Sequence, residues 1–545
     1  MDTIRTVSTQ PFKDQKPGTS GLRKKVRVFQ QPHYLENFVQ SIVNALPESQ
    51  RQRLVLGGDG RYYNREAIQI ILEILVANGV GEVLVGEEGI LSTPAVSNLI
   101  RQYQADGGIV LSASHNPGGP DEDFGIKFNN ASGSPAPESL TERMYQETLS
   151  ISQYRRLPLP PLELKAGREY RHGNTLIRVL DSVDDYAGLM TRLFDFDRLQ
   201  RAIRQGKVSL TFDAMHAVTG PYARRIFHDM LDLPAHLLRN VQPLPDFGAG
   251  HPDPNRVHAH ELWDAMMADG APDLGAASDG DGDRNMIMGR NIFVSPSDSL
   301  ALIAEHHRCI PQFRSGLAGV ARSMPTSTAI DRVAKHLKVP CYETPTGWKF
   351  FGNLLDAGKV RLCGEESFGT SGDHVREKDG VWAVLCWLSI LVETGLPVEE
   401  LLLRHWHAFG RSHYCRHDYE GLDAAAADAV LQGLLAQASS LRGTPCDSAS
   451  IATVDSFTYE DPVDGSVSRN QGVRLLFDNG SRIIYRLSGT GTGSATLRVY
   501  LEQLEQRRDK LALDSIEHNR RLGQFAHQVS RIQALTGAIE PSVIT

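Results

Sequence analysis

The stretch LVLGGDGR, residues 54–61, consists of a short apolar run followed by a polar, glycine-containing loop. The same pattern recurs at Val208–Phe212, before DAMHAVTG, and at Leu317–Val320, before ARSMPTSTA. Strands that alternate with helices predict parallel or mixed sheets whose strand C-termini carry the ligand loops. We therefore predict three similar α/β domains with mixed sheets, each directing one polar loop at a central cleft. The second β-type run of each domain ends in such a loop: SASHNPGGP (112–120), SDGDGDR (278–284) and GEESFGTSGDH (364–374).

The last part of the chain has a different pattern. An alanine-rich helical segment, Ala424–Ala436, precedes two apolar runs, Val473–Phe477 and Arg482–Leu487, with Asp-Asn-Gly between them. Asn-Gly between alternating runs is a strong hairpin signal. We therefore expect a smaller C-terminal α+β domain. The predicted domains are residues 1–186, 187–302, 303–410 and 411–545. The candidate linkers are Leu157–Leu162, which is alternatively a surface excursion inside the first domain, and Asp184–Thr191.

Length and composition limit the class of protein. A chain of 545 residues is longer than one hydrophobic core usually supports. A net charge of -8 is not that of a protein with a nucleic-acid-binding basic surface, and the longest apolar run, Val381–Val392, is too short to span a bilayer. The six cysteines form no CxxC pair and are expected to be reduced. We expect a cytoplasmic monomer or weak dimer with small-molecule partners, no nucleic acid and no membrane.

Three aspartates, Asp279, Asp281 and Asp283, alternate with glycines and are followed directly by Arg284. Like charges packed so closely repel one another unless a cation holds them, so the pattern favours a metal site over a solvated acidic turn. Oxygen ligands alone favour magnesium or calcium. An EF-hand is a weak alternative, because its loop needs glycine at position six and glutamate at position twelve, where this chain has Arg284 and Arg290.

The segment Ser112–Phe128 carries Ser114 and His115 before an Asn-Pro turn, and Lys127 near its end. We expect Ser114 to be exposed on a loop of small residues. The segment has no GxSxG elbow, which argues against an acyl-transfer nucleophile, and Ser-His-Asn-Pro by itself is more often a simple turn. A metal loop and phosphate-binding candidates elsewhere in the chain make phosphoryl transfer the better reaction class.

Two further loops have the composition of ligand sites. RLSGTGTGSATLR, residues 486–498, combines backbone amides, hydroxyls and terminal arginines, which is typical of a phosphate nest, although a flexible hairpin end explains it equally well. The segment Gly364–Gly380 mixes acceptors and donors suited to sugar hydroxyls, although in isolation it reads as a charged surface loop.

At these loops the sequence closely resembles the α-D-phosphohexomutase superfamily, and within it the eukaryotic-type phosphoglucomutases. The resemblance covers nearly the whole chain in the family's order. It implies three α/β domains and a fourth α+β domain around one cleft. It also implies a magnesium-dependent isomerase that interconverts glucose 1-phosphate and glucose 6-phosphate through a phosphoserine, with glucose 1,6-bisphosphate as primer and intermediate. The matching stretches are KPGTSGLRKKV (16–26), SASHNPGGPDEDFGIKF (112–128), DGDGDR (279–284), TPTGWKFFGNLLDAG (344–358) and RLSGTGTGSATLR (486–498).

The resemblance also implies roles for individual residues. Ser114 would be the phosphoserine, and Asp279, Asp281, Asp283 and a phosphoryl oxygen on Ser114 would hold magnesium. His115 and Lys127 are alternative general bases. The residues around the reacting phosphoryl group would be Arg23, Arg284, His115 and Lys127. Glu365 and Ser367 would bind sugar hydroxyls, and Thr346, Gly347 and Lys378 would lie beside the substrate. The phosphate that is not transferred would be bound by Arg486, Ser488, Gly489, Thr490 and Arg498.

Other functions remain open at this point. A related mutase acting on mannose or glucosamine phosphates, a glucose 1,6-bisphosphate synthase and a non-catalytic scaffold are alternatives, although a scaffold would be expected to have lost Ser114 or a metal aspartate. A calcium-binding or adhesion module is a further alternative, but the mismatch with the EF-hand pattern argues against it.

Overall fold

The LVLGGDGR stretch forms the central strand of a seven-stranded mixed sheet in the computed structural model. Strand Arg53–Gly58 has a parallel neighbour on each side. Leu54 and Leu56 belong to one buried cluster and Val55 to another. Because both faces of the strand are covered, its sequence is continuously apolar. Across the sheet the strands are Leu22–Lys25, Asp123–Asn130, Gly107–Leu111, Arg53–Gly58, Glu82–Ile90, Thr175–Leu180 and Glu169–His172.

Helices cover both faces of this sheet, as the two separate clusters indicate. A short antiparallel pair, Arg5–Ser8 with Gln153–Arg156, lies outside the sheet. The helices of this region are Val26–Phe29, Tyr34–Ala45, Asn64–Ala77, Thr93–Gln102, Glu138–Ser150 and Ser182–Leu193.

The structure describes residues 3–18, 20–488 and 494–545, which form two compact units. One unit runs to Val320 and includes Gly347–Glu399, and the other comprises Ala321–Thr346 and Glu400–Thr545.

A second mixed sheet of five strands follows in the first unit. Strand Leu210–Asp213 pairs in parallel with Leu238–Arg239 and Leu274–Ala277, and the latter continues through antiparallel pairs to Met286–Gly289 and Ile292–Val294. Its helices are Phe196–Arg204, Thr219–Ala223 with the π-helical turn Arg224–Met230, His260–Met266 and Pro296–Glu305.

The third region is divided between the two units. The first unit contains the antiparallel strands Leu362–Glu365 and Gly369–Gly372, followed by the buried helix Gly380–Thr394. The strand predicted at Leu317–Val320 instead occupies Val320–Ser323. The predicted strand begins three residues too early in the chain. Gly316 and Gly319 interrupt the apolar run, and the regular strand begins after them. The remaining elements are Ala329–Leu337, Cys341–Thr344, Trp348–Asp356 and Val398–Phe409.

The C-terminal part of the second unit is built on an antiparallel sheet of seven strands. The predicted helix is present as Ala424–Ala436, and the predicted hairpin pairs Val473–Phe477 with Arg482–Ser488. Across the sheet the strands are Pro445–Cys446, Ala449–Ser456, Val473–Phe477, Arg482–Ser488, Ser494–Glu505, Arg411–Asp423 and Val543–Ile544. The other elements are the helices Ala438–Leu441, Ser515–Val529 and Ile532–Thr536, and the strand pair Tyr459–Glu460 with Val467–Ser468.

Two segments expected to be linkers contribute to packing. Asp184–Thr191 lies inside the helix Ser182–Leu193, whose first amides are capped by Asp181 and which buries Tyr186 and Met190. The stretch Leu157–Leu162 has no regular secondary structure, but Leu159 and Leu162 join the core of the first sheet. Apolar side chains therefore outweigh the linker-like composition at both places.

All six cysteines are free thiols. Within the described residues no single helix is long and apolar enough to cross a membrane, and one bent pair, Gly380–Thr394 with Val398–Phe409, meets the length and composition test together.

Candidate active site

Ser114 lies just beyond the strand Gly107–Leu111, on a tight loop. Its φ is 54°, in the left-handed region that non-glycine residues rarely adopt. The Ser112 hydroxyl accepts a hydrogen bond from the Ser114 amide at 2.7 Å, which holds this conformation. Ser114 is only 4% exposed, so the expectation of an exposed serine is wrong. The loop is covered because other loops of the first unit pack against it.

Arg61 holds the loop of residues 112–120, here called the serine loop, in place. Its buried guanidinium pairs with Asp59 at 2.9 Å and donates hydrogen bonds to the carbonyl oxygens of Ser114 at 2.8 Å and Asp123 at 2.9 Å. A buried arginine whose donors are satisfied in this way holds the backbone in one arrangement. Sequence reasoning noted Asp59 and Arg61 only as parts of a polar loop. Their position directly after a predicted strand was the signal that could have identified them.

The three aspartates of the second polar loop converge on one point. Asp279, Asp281 and Asp283 are buried, and each offers a carboxylate oxygen within 4.8 Å of the others. Burial, reinforced by repulsion from Asp283 and Asp281, raises the pKa of Asp279 well above its usual value. Oδ1 of Asp281 and Oδ1 of Asp283 accept no hydrogen bond from the described residues. Buried, unsatisfied carboxylate oxygens in this arrangement fit a hard divalent cation.

Hydrogen bonds orient the remaining carboxylate oxygens. Oδ1 of Asp279 accepts from the amides of Asp283 and Arg284, both at 3.0 Å. Oδ2 of Asp281 accepts from the Thr93 hydroxyl at 2.7 Å. Thr93, the first residue of the helix Thr93–Gln102, was not predicted, and no local pattern identifies it.

The serine loop contacts the loop of residues 278–284, which carries the three aspartates and is here called the carboxylate loop. The Ser114 hydroxyl donates a hydrogen bond to Oδ2 of Asp279 at 3.0 Å, and it lies 3.4 Å from Nδ1 of His115. Burial, together with the nearby Arg284, lowers the pKa of His115 well below its usual value. A serine oxygen is therefore placed at the edge of a cation site, next to an imidazole that favours its neutral form.

Two arginines contribute positive charge at this point. Arg284 lies 3.4 Å from Oδ1 of Asp253 and 3.7 Å from Oδ2 of Asp279. Arg23, on the strand Leu22–Lys25, is so buried that its pKa is lowered, although Asp281 acts in the opposite direction. The Nε atoms of Arg23 and Arg284 have no hydrogen-bond partner among the described residues. Both side chains can therefore still donate to an anion.

Lys127 is held by a buried carboxylate. Its Nζ lies 3.3 Å from Oε1 of Glu377, which also accepts from Nδ2 of Asn129 at 2.9 Å. Burial acts to lower the pKa of Lys127, but the Glu377 and Asp281 carboxylates outweigh it, and the pKa is raised. Glu377 was not among the predicted residues.

Lys378 connects the carboxylate loop to the third polar loop. Its Nζ lies 3.1 Å from Oδ2 of Asp283 and 3.4 Å from Oε1 of Glu365. The backbone joins the same loops, because the Asn285 amide donates to the carbonyl oxygen of Phe368 at 2.9 Å. Residues from three polar loops are thus brought together within the first unit.

Three other predicted residues belong to this region of the sequence. Ser367 is half-buried between the paired strands Leu362–Glu365 and Gly369–Gly372, and Gly347 precedes the helix Trp348–Asp356 with a φ of 127°. Thr346 is the last residue of the segment that belongs to the second unit.

The fourth polar loop belongs to the second unit. Arg486 and Arg498 are direct partners on adjacent antiparallel strands, and Ser488 is paired with Thr496 on the same face. Like charges directly opposite one another destabilise a sheet, so an anion between these arginines would offset their repulsion. Thr496 was not predicted as a site residue. Its position opposite Ser488 follows from the pairing of the strands Arg482–Ser488 and Ser494–Glu505. Gly489 and Thr490 lie outside the described residues.

Close packing between the serine and carboxylate loops leads to a stability prediction. A methyl group at Gly280 would lie 2.3 Å from the carbonyl oxygen of Ser114. We expect Gly280→Ala to lower the free energy of unfolding by about 1–3 kcal/mol, measured by denaturant titration. The matched control is Gly188→Ala, in the helix Ser182–Leu193, where the methyl group would lie 3.9 Å from the end of the Arg192 side chain, an ordinary contact distance. Equal stability of the two variants would contradict the packing argument.

Four family models match the chain in consecutive order. Residues 14–155, 184–291 and 296–409 match the alpha/beta/alpha domains I, II and III of phosphoglucomutase/phosphomannomutase, and residues 411–542 match the C-terminal domain of phosphoglucomutase-1. These matches confirm the predicted order of three α/β domains and a different fourth domain.

Full-length relatives have the same organisation. The chain is 53% identical to a phosphoglucomutase of Rhizobium radiobacter over 99% of this chain and 100% of that one. It is 50% identical to phosphoglucomutase-1 of Dictyostelium discoideum, with 99% of both chains covered. The crystal structure of the exocytosis-sensitive phosphoprotein pp63/parafusin, a phosphoglucomutase from Paramecium, in its open form, superimposes with a TM-score of 0.92 at 46% identity, covering 99% of each chain.

Proposed function

Because the chain belongs to the phosphoglucomutase/phosphomannomutase family and is an isomerase of the phosphoglucomutase type, we propose that it interconverts glucose 1-phosphate and glucose 6-phosphate through a phosphorylated Ser114. The observation that carries this proposal is the 3.0 Å contact between the Ser114 hydroxyl and Asp279. A phosphate on that hydroxyl would be surrounded by the carboxylate triad and by cationic side chains. This is the charge arrangement that phosphoryl transfer requires.

In the proposed reaction the bond between phosphorus and the Ser114 oxygen breaks, while a bond forms from phosphorus to a sugar hydroxyl oxygen. The sugar hydroxyl gives its proton to a base of the protein, and the departing serine oxygen takes up a proton. The product of this first transfer is glucose 1,6-bisphosphate. After the bisphosphate reorients, the second transfer returns its other phosphate to Ser114. His115 and Lys127 are the candidates for the proton-transfer role. The His115 imidazole, whose pKa is lowered, lies 3.4 Å from the serine oxygen and can accept a proton, and the Lys127 ammonium, whose pKa is raised, can donate one.

We propose that magnesium binds to Asp279, Asp281 and Asp283, with a phosphoryl oxygen on Ser114 as a further ligand. The donor set supports this assignment, because it consists of oxygens only. When bound, the cation would withdraw electron density from the phosphoryl oxygens. Arg23 and Arg284 would donate to the same group, since both retain unused Nε donors among the described residues.

Sugar recognition is assigned to the third polar loop. Within the part of the chain that the structure describes, Glu365 has one ion-pair contact, with Lys378, so its carboxylate retains acceptor capacity for sugar hydroxyls. Ser367 supplies a hydroxyl from the same loop, and Thr346 and Gly347 are proposed to lie beside the substrate. Lys378 would neutralise charge between the sugar and the cation.

The phosphate that is not transferred is assigned to Arg486, Ser488, Gly489, Thr490 and Arg498. The cross-strand pairing of the two arginines supports this role, because it places two guanidinium groups on one face of the sheet, although Nε of Arg498 also lies 3.9 Å from Oδ1 of Asp418.

Substitution of Arg498 tests the distal phosphate site. A charge-assisted hydrogen bond contributes about 1.5–3 kcal/mol, so Arg498→Ala is expected to raise KM by roughly tenfold or more. Both glucose 1-phosphate and glucose 6-phosphate should be affected, because each presents its idle phosphate to the same loop. Arg469→Ala, a substitution outside the proposed phosphate loop in the same unit, is the control. A defect confined to one substrate would show that the two binding orientations use different sites.

The overall proposal is tested by measuring conversion of glucose 1-phosphate with and without glucose 1,6-bisphosphate, and by repeating the assay with mannose and glucosamine phosphates. We expect conversion that depends on the bisphosphate primer and prefers glucose. No conversion of glucose 1-phosphate under any primer condition would reject the proposal.

We further propose domain boundaries near residues 186, 302 and 410. We also propose a cytoplasmic location, which the six free thiols support.

A further inference from the structure

The segment Asp373–Gly380 connects the strand Gly369–Gly372 to the helix Gly380–Thr394 and supplies partners to several loops of the site. Glu377 contacts Lys127, and the adjacent Lys378 contacts both Asp283 and Glu365. The position of this one segment therefore affects Lys127, the carboxylate loop and the loop that carries Glu365.

Asp379 is buried, and its side chain holds this segment in place through hydrogen bonds. Its Oδ1 accepts hydrogen bonds from the Tyr186 hydroxyl at 2.6 Å and from the Trp382 amide at 3.1 Å. Its Oδ2 lies 3.0 Å from Nε2 of His374. The side chains of Asp379 and His374 are both fully buried. Each carboxylate oxygen is thus satisfied from a different direction, as a buried charge requires.

The contact between His374 and Asp379 closes the segment into a loop. The His374 ring stacks on Trp382, with centroids 5.0 Å apart and planes 21° apart. Nε1 of Trp382 in turn donates to Oε1 of Gln312 at 2.8 Å. Because residues 374 and 379 are joined by their side chains, the residues between them, Glu377 and Lys378 included, have little freedom to move.

The same segment is attached to the carboxylate loop by its backbone. The Asp379 amide donates to the carbonyl oxygen of Thr370 at 3.0 Å, and the Gly380 amide donates to that of Gly282 at 3.1 Å. A methyl group at Gly380 would lie 2.2 Å from the carbonyl oxygen of Arg284. The segment and the carboxylate loop are therefore packed without space between them.

We infer that Asp379, held by Tyr186 and His374, is a positioning residue that fixes Lys378 between Asp283 and Glu365. This inference rests on the proposed function. Asp379 also caps the helix Gly380–Thr394, so its removal would affect stability as well. Tyr186 separates the two effects, because it contacts Asp379 without taking part in the cap.

The test is a double-mutant cycle between Tyr186→Phe and Lys378→Ala. Tyr186→Phe removes one hydroxyl, and we expect kcat/KM to fall about threefold to tenfold. Lys378→Ala should lower it further. If Tyr186 acts through Lys378, adding Tyr186→Phe to Lys378→Ala should cause no further loss. Fully multiplicative losses would overturn the inference.

A control variant separates positioning from stability. Tyr154→Phe also removes the hydroxyl of a buried tyrosine. That hydroxyl lies 2.9 Å from Nδ1 of His33 and makes no hydrogen bond with the described residues of the site loops. The variant should lower the melting temperature about as much as Tyr186→Phe and leave kcat/KM unchanged. If Tyr186→Phe behaves in the same way, the positioning role is wrong.

Asp379→Asn keeps an acceptor for Tyr186 and offers an amide to His374, so it should retain at least about tenfold more kcat/KM than Asp379→Ala. Equal losses in these two variants would also overturn the inference. An inactive parent enzyme would instead reject the proposed function, while the melting temperatures would still report on the Asp379 contacts.

Discussion

Ser114→Ala is expected to lower the mutase activity by at least about 10³-fold, because it removes the oxygen that carries the phosphoryl group. The fold should be retained. The Ser114 amide would still donate to Ser112, and Arg61 would still donate to the carbonyl oxygen of residue 114. The side-chain contacts with Asp279 at 3.0 Å and with Nδ1 of His115 at 3.4 Å would be lost.

Activity, the melting temperature and the mass of the phosphorylated peptide measure this outcome. Ser112→Ala is the matched control, because Ser112 is a buried serine in the same loop whose hydroxyl binds the backbone instead of the carboxylate triad. We expect Ser112→Ala to lower activity partially and to leave the phosphate on Ser114. A phosphate found only on Ser112, or turnover by Ser114→Ala well above background, would reject the assignment.

Asp281→Asn is expected to lower kcat by at least about 100-fold and to weaken magnesium binding at the same time. Oδ2 of Asp281 is occupied by Thr93, whereas Oδ1 has no hydrogen-bond partner among the described residues and is the oxygen available to a cation. An asparagine would replace one oxygen with an amide nitrogen that cannot act as a ligand. Calorimetric titration with magnesium and the magnesium dependence of the rate measure the two effects separately.

Asp213→Asn is the control for this substitution. Asp213 is also a buried aspartate of the second sheet, and burial raises its pKa, but its Oδ1 accepts from the Met215 amide and from Asn240. We expect this variant to lose stability while its magnesium dependence stays that of the parent. If both variants respond to magnesium alike, Asp281 is not a ligand.

Local sequence was sufficient for elements whose signals lie within a few residues. The helix Ala424–Ala436 and the hairpin around Asn479-Gly480 have the predicted bounds to within one residue. Prediction failed where packing outweighed composition. The segment Asp184–Thr191 is polar enough for a linker, but Tyr186 and Met190 become buried and make it part of a helix.

The carboxylate loop shows the same division within the site. Three aspartates separated by glycines indicate a cation site from the sequence, because like charges packed so closely repel one another unless a cation holds them. The burial of Ser114 could not be predicted, since it depends on how the surrounding loops cover the serine, and small residues around a serine are equally compatible with an exposed loop.

The sequence by itself determined the order of α/β domains and the spacing of the three aspartates, because both depend on residue types at short spacing. Tertiary structure alone decided which distant side chains complete the site. Thr93 contacts Asp281 across 188 residues of chain, Lys127 contacts Glu377 across 250, and Tyr186 contacts Asp379 across 193. Such contacts form only when separate strands and helices pack together. Their energy comes from burying polar groups that satisfy one another, and no local pattern records that pairing.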